Sequence, residues 1–196
     1  MAFRCRLLLP PTVSQNNKGA ADCALGLAQF VNGSKRDANA LMVMGAVMLE
    51  GLTISKPQVS MSQVTPVARL SSEYNVFAVP AASPFKPMKE VVEQLKKYPG
   101  NMNRGGGSRG ATEHIAATMI AREPGADPAK INYVVFRGAG EATAAILSNN
   151  ASIGGSGLGE FAEYIYIGKM HALAVTSGAR LPGVDIPTLK EQASIW

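Results

Sequence analysis

From residue 88 onward the apolar residues fall into helical spacing. Met88, Val91, Val92 and Leu95 stand at i, i+3, i+4 and i+7, with Lys89, Glu90, Glu93 and Gln94 between them. Pro87 suits the first turn of this helix, and Pro99-Gly100 stops it. Ile115 and Met119 mark one face of a second helix over 111–122, and two more helices begin over 141–147 and 160–167. Short apolar runs over 131–136, 151–154 and 171–175 lie between and after these helices and predict strands. Upstream, 24–31 predicts a short helix, 41–48 a buried strand, and 75–80 a strand ending at a Pro-Ala-Ala-Ser-Pro hinge. Residues 1–18 read as irregular and 51–66 as loop. The alternation after residue 81 predicts an α/β unit with a parallel or mixed sheet.

Three of these helices are entered through one local pattern: Gly110-Ala111-Thr112-Glu113, Gly138-Ala139-Gly140-Glu141 and Gly157-Leu158-Gly159-Glu160. A strand that turns on glycines into a helix leaves the first-turn N–H groups unpaired at the positive end of the helix dipole. That end suits an anion, and in an open α/β sheet such turns gather at the carboxyl ends of the strands. The pattern predicts a small-anion site built mostly from backbone, its loops converging on one side of a compact unit over 81–192. Glu113, Glu141 and Glu160 then read as first-turn acids facing outward, since carboxylates aimed inward would repel the anion. His114 reads either as a neutral hydrogen-bonding group near the ligand or as a packed or capping residue.

Composition narrows the function classes. The chain has 196 residues, 46% hydrophobic and 17% charged, enough to bury a core in one large domain or two small ones. The net charge of +5 is spread along the chain, and the 6% of aromatic residues are not interleaved with it, which argues against nucleic acid. At most that charge is a weak field drawing in an anion. Cys5 and Cys23 make neither a disulfide framework nor a metal site; they read as unpaired thiols, or as a pair if the protein is exported. Two histidines without clustered acids leave no catalytic metal site, and no cofactor is expected. The apolar stretch over 7–9 is stopped by Pro10-Pro11, too short for a signal peptide.

Two catalytic or cofactor motifs overlap the first glycine loop. Residues 105–110 satisfy G-x-G-x-x-G, but Asn101-Met102-Asn103-Arg104 is a poor strand for a dinucleotide fingerprint. Residues 106–110 satisfy G-x-S-x-G, and Ser108, Asp127 and His171 occur in the chain order of an α/β-hydrolase triad. Asp127 sits in a Pro-Gly-Ala-Asp-Pro turn, however, so Ser108 reads better as a helix cap or an anion donor. A serine hydrolase is the competing class.

Several ordered segments together resemble one family. They are Gly26-Leu27-Ala28-Gln29-Phe30, then Thr65-Pro66-Val67-Ala68-Arg69-Leu70, and the Gly-Ser loop over 105–114 ending in His114. Tyr133-Val134-Val135-Phe136-Arg137-Gly138 follows, then Gly168-Lys169 with Leu173-Ala174-Val175-Thr176-Ser177, Arg180 and Pro187-Thr188-Leu189-Lys190-Glu191-Gln192. The chain resembles the solute-binding receptors of tripartite tricarboxylate transporters, the Bug family. The resemblance implies a periplasmic, non-enzymatic receptor with a type II periplasmic-binding-protein-like two-domain clamshell. It also implies a carboxylate held by backbone amides and small hydroxyls and delivered to a membrane permease.

On that basis domain 1 is expected over 1–80 and domain 2 over 81–196. Domain 1 reads as incomplete, without the N-terminal segment and the C-terminal return of family members. The family's Pro-Gly-Ala-Gly-Gly loop stands here as Lys18-Gly19-Ala20-Ala21-Asp22. The expected ligand contacts are Gly19 and Ala20, then Ser108, Gly110, Ala111, Thr112 and His114, then Gly138 and Gly140, then Gly155 and Ser156. An incomplete domain 1 should expose a sheet edge around 41–48 and self-associate; a remnant that binds nothing is the third reading.

Overall fold

The computed structural model describes residues 14–16, 24–107, 109–122, 125, 127–136 and 138–193. Five strands form one mixed sheet: β1 (Asn75–Pro80), β2 (Arg104–Gly106), β3 (Tyr133–Val135), β4 (Ile153–Gly157) and β5 (Met170–Val175), in the order β3-β2-β4-β1-β5. β2 runs parallel to β3 and β4, while β1 is antiparallel to both β4 and β5. Among the described residues seven α-helices accompany them. These are α1 (Ala24–Gly33), α2 (Ala46–Ser55), α3 (Met88–Lys97), α4 (Thr112–Arg122), α5 (Ala139–Leu147), α6 (Leu158–Tyr166) and α7 (Leu189–Ala193).

β1 explains the layering. Its residues from Val76 to Pro80 are buried, so both faces of the strand are covered. Phe77 and Val79 face a core built with Met88, Val91 and Leu95 of α3, Ala117 and Ile120 of α4, and Leu189. Val76 and Ala78 face the opposite core, with Ile146 of α5 and Phe161 of α6. A register shift between Phe77 and Ala78 leaves Leu173 of β5 without an opposite residue. It turns Leu173 and Ala174 toward the same core, the α3–α4 side. β1 lies before the expected domain boundary, yet it is an inner strand of the sheet that carries the glycine turns.

The helices predicted from spacing are present, with α4 turned from the expected face: Ala116, Ala117, Ile120 and Ala121 are buried, and Ile115 and Met119 exposed. Residues 41–48 are a correction. No strand forms there; Leu41 and Val43 are 81% and 82% exposed, and α2 starts at Ala46 from an extended Gly45. An apolar run without charge satisfies strand and helix alike, and Ala, Met and Leu favour the helix. The sheet edge expected there, and the self-association argued from it, therefore lack their strand.

The Pro187-Thr188-Leu189-Lys190-Glu191 segment is a helix start. The Thr188 N–H donates to Glu191 Oε2 at 2.7 Å, and the Glu191 N–H donates to Thr188 Oγ1 at 3.2 Å. This reciprocal capping box fixes α7 over the end of β5, where Val175 bridges Thr188.

Candidate functional site

Because β3 and β4 flank β2 and both run parallel to it, the carboxyl ends of the three strands lie at one end of the sheet. The turns after them, carrying Gly107 and Gly110, Gly138 and Gly140, and Gly157, open there together. The expected convergence is thus met for the described parts of the three turns. Ser108, Gly19 and Ala20 lie outside the described residues, as do Asp22, Cys5 and Cys23.

Two turns differ from their sequence reading. Gly105 and Gly106 belong to β2, and Gly155 and Ser156 to β4, so these residues are buried in the sheet rather than held in loops. Side chains crossing the sheet require the glycines. A Cβ on Gly154 would strike Ile146, one on Gly106 the Tyr133 hydroxyl, and one on Gly155 would lie 2.9 Å from the Phe77 ring.

The first turn is built around His114. Gly110 has φ +86, and its N–H donates to His114 Nδ1 at 3.0 Å, so the proton of the neutral ring sits on Nε2. Burial, and next the charge of Arg109, hold the His114 pKa below the ordinary value. The Tyr133 ring meets His114 edge-on at 4.5 Å, and the Tyr133 hydroxyl donates to the Gly107 carbonyl at 3.2 Å. His114 is therefore neutral and hydrogen-bonded, and it takes the N–H that Gly110 was expected to offer a ligand. Ala111 is buried and Thr112 half-buried at the start of α4.

Glu113 reverses the expectation that the acids face out, whereas Glu160 is exposed. The Glu113 side chain folds over the turn, its Oε1 3.4 Å from where a Gly107 Cβ would stand and its Cβ 3.4 Å from that of Gly155. Burial, and then Glu160 and Glu73, raise its pKa; its own backbone N–H and the Thr112 hydroxyl oppose the rise. Ser156 donates to Glu160 Oε2, and Glu73 lies against Gly157. Glu50 reaches in from α2. Its pKa is raised by burial and then by Glu113, while the Thr112 backbone N–H favours the charged form. Glu141 is exposed, as expected. Among the described residues no three His, Cys, Asp or Glu side chains are grouped to hold a metal ion.

Below Glu113 lies a cavity of about 10 Å³, room for roughly one water, lined by Arg104, Tyr133, Phe77 and Gly155. Arg104 is 4% exposed; its Nη1 reaches the Ala117 carbonyl at 3.5 Å, and its Nη2 has no partner among the described residues. Burial lowers its pKa to about 10.

The hydrolase arrangement is not assembled among the described residues. His171 stands early in β5, paired with Val79, at the end of the sheet away from the turns, and its Nε2 contacts the Lys86 carbonyl at 3.0 Å. Asp127 Oδ1 accepts the Ala129 N–H at 3.0 Å within its own turn.

A family model described as the tripartite tricarboxylate transporter family receptor matches residues 5–195. The chain belongs to that receptor family. A TctC solute-binding protein from Polaromonas, solved without ligand, is 27% identical, with a TM-score of 0.69 over 92% of this chain and 61% of that one. MatC from Rhodopseudomonas palustris, solved with bound malate, has 20% identity and a TM-score of 0.55 over 62% of this chain and 40% of its own, and shows the fold. The UPF0065 protein in the tcbD-tcbE intergenic region of Pseudomonas sp. (strain P51) is 23% identical over 140 residues, 71% of this chain and 41% of that protein. The chain thus spans between two fifths and three fifths of the length of these relatives.

For a member of this receptor family, sequence reasoning missed Glu50, Glu73 and Tyr133 beside the first turn and Arg104 in the cavity below it. Tyr133 stood in the quoted Tyr-Val-Val-Phe-Arg-Gly segment. Arg104 was legible as the charged residue directly before the glycines. Glu50 and Glu73 gave no signal, because their placement depends on packing between segments distant in sequence.

Proposed function

We propose that this chain forms the ligand-contacting part of a periplasmic receptor that captures a small carboxylate and delivers it to the permease of a tripartite tricarboxylate transporter. The reading rests on one observation: the glycine turns after three parallel strands share one end of the sheet. The proposed seat uses first-turn N–H groups at Thr112 and at Gly138 and Gly140, the His114 Nε2–H, and the Ser108 hydroxyl. Ala111, Gly110, Gly155 and Ser156 shape its walls, and Gly19 and Ala20 are the contacts proposed for the N-terminal part of the chain. None of these groups transforms the ligand; the reading is binding without catalysis.

Gly138 and Gly140 offer the sharpest test. A Cβ at either would meet nothing within 4 Å, and neither has a positive φ, so packing and backbone do not require glycine there. Close approach of a ligand would. Thermal-shift and calorimetric titrations with acetate, succinate, malate and citrate should raise the unfolding midpoint of the parent. Gly138→Ala and Gly140→Ala should fold normally and bind more weakly. A midpoint unmoved by every acid at millimolar concentration would sink the reading. Turnover of a generic ester, lost in Ser108→Ala, would favour the hydrolase instead.

A further inference from the structure

β5 is the outer strand of the sheet, and β1 pairs with only one of its sides. The ladder decides which of its backbone groups face outward. The Ala81 N–H donates to the Lys169 carbonyl at 3.1 Å, so Lys169, and His171 two residues on, turn their backbone groups toward β1. Met170 and Ala172, opposite Pro80 and Ala78, turn theirs away from it. Pro80 has no N–H to give, which suits a position outside the ladder bonds. Further along, the outward N–H of Val175 donates to the Pro187 carbonyl at 2.9 Å. The outward groups of Met170 and Ala172 have no such partner among the described residues.

The bridge from Val175 to Thr188 is isolated, and nearer the start of β5 there is a groove of about 320 Å³. Met170, Ala172, Ile165, Ile186, Lys86 and Asp185 line it. Asp185 is paired with Arg180 at 3.3 Å. The Lys86 ammonium donates to the Ala81 carbonyl at 2.9 Å and has no carboxylate partner among the described residues. The groove therefore combines main-chain donors and acceptors two residues apart, apolar walls and one uncompensated positive charge.

We propose that this groove takes an extended peptide segment of a partner protein, which adds to β5 as a sixth strand. The segment carries apolar side chains at alternate positions and an acidic residue toward Lys86. A donor and an acceptor on every second residue of a strand match another extended backbone, whereas a compact solute cannot meet both residues. An open edge is otherwise a liability that folds cover or charge. β5 runs parallel to β4, because β1 is antiparallel to both. The start of β5 thus lies at the end of the sheet opposite the glycine turns, and a partner docked there leaves the carboxylate seat clear.

The probe is a synthetic hexapeptide of alternating valine and threonine headed by glutamate, titrated into the isotope-labelled chain. It should shift the Met170 and Ala172 amide resonances, slow their exchange with solvent, and leave the Thr112 and Gly138 amides unmoved. Ala172→Pro removes one outward N–H, a change that an edge strand tolerates, and should weaken the peptide at least about tenfold. Ala172→Ser keeps that N–H and should keep the peptide. Succinate titrations should be the same for the parent and both variants. Lys86→Glu should weaken the glutamate-headed peptide about two- to fivefold and favour a lysine-headed one.

Amides of Met170 and Ala172 that ignore the peptide at millimolar concentration overturn the proposal. So does a peptide that binds Ala172→Pro as tightly as the parent. His171→Pro checks the ladder itself, since it removes an inward bond and should lower the urea midpoint more than Ala172→Pro does. The reverse order would show that the outward groups have been misassigned and would overturn the groove as a strand seat. Should Ala172→Pro fail to fold, amide protection in the parent and the charge reversal at Lys86 decide the matter.

Discussion

His114 Nδ1 accepts the backbone N–H of Gly110 at 3.0 Å, four residues earlier, and this one bond shapes the first glycine turn. It holds Gly110 at φ +86, brings the imidazole edge-on to Tyr133, and through Tyr133 ties the turn to the Gly107 carbonyl. The turn is thus braced from within before any ligand arrives. Such bracing keeps the donors of a binding site from losing their geometry to loop motion.

Gly110→Ala should destabilise the protein on two counts. Alanine disfavours the left-handed region, and its Cβ would enter the space of Ile54 Cδ1. The combined loss should be about 1–3 kcal/mol in urea unfolding. Adding Ile54→Ala should return only the steric part. Full recovery in the double variant would show that φ is not held positive.

The same bond gives a pH dependence with a definite sign. His114 has a folded pKa below its value of 6.5 when unperturbed. Between those two values the unfolded chain binds the extra proton, so stability from this residue is complete above the unfolded pKa and lost as pH falls through the window. Glu113 and Glu50, with raised pKa values, act the other way, each becoming less costly as it protonates. Comparison with His114→Gln isolates the histidine. Between pH 8 and pH 5 the parent should lose more stability than the variant, and parallel curves would remove the bond.

The sequence displayed its helices and the start of β4, and concealed β2 and the glycine half of β4. Met88, Val91 and Leu95 face the core at the expected spacing because their side chains carry the burial. β2 is Arg-Gly-Gly and β4 Ile-Gly-Gly-Ser-Gly, and a strand without side chains has no hydrophobic pattern to read. Their identity lies in the neighbours, Ile146, Phe77 and Tyr133, whose bulk needs the missing Cβ atoms. The turns were legible as an anion site from glycine and helix dipole alone. That Glu113 folds inward was not, because the argument assumed a ligand charge as the dominant field. In the structure a Thr112 hydroxyl, burial and a raised pKa let a carboxyl occupy that position instead.

Glycines in and after β4 should answer alanine with opposite signs. Gly154→Ala drives a methyl into Ile146, which is fully buried, and should cost about 1–3 kcal/mol by overpacking. Ile146→Val in the same chain should recover part of that loss. Gly159→Ala, in α6 with nothing within 4 Å of the new Cβ, should instead stabilise by about 0.5–1 kcal/mol through helix propensity. Chemical denaturation of the two variants side by side decides it; a matching sign would contradict the packing described for β4.

Arg104 is a charged side chain buried in the core, 4% exposed. Burial has lowered its pKa to about 10, Nη2 lacks a partner among the described residues, and Nη1 makes a 3.5 Å contact with the Ala117 carbonyl. Replacing even a buried ion pair by well-packed apolar side chains is often neutral or stabilising by about 1–4 kcal/mol, and a buried charge without a counter-ion has less attraction to lose. Arg104→Met keeps an unbranched side chain among Phe77, Leu95 and Ile153, and should raise the urea midpoint. If the guanidinium also supplies the positive field beneath the mouth, the same variant should bind succinate several-fold more weakly while being more stable. Stability and affinity would then move in opposite directions. A variant that loses both would mean that Arg104 holds β2 in place rather than biasing the site above it.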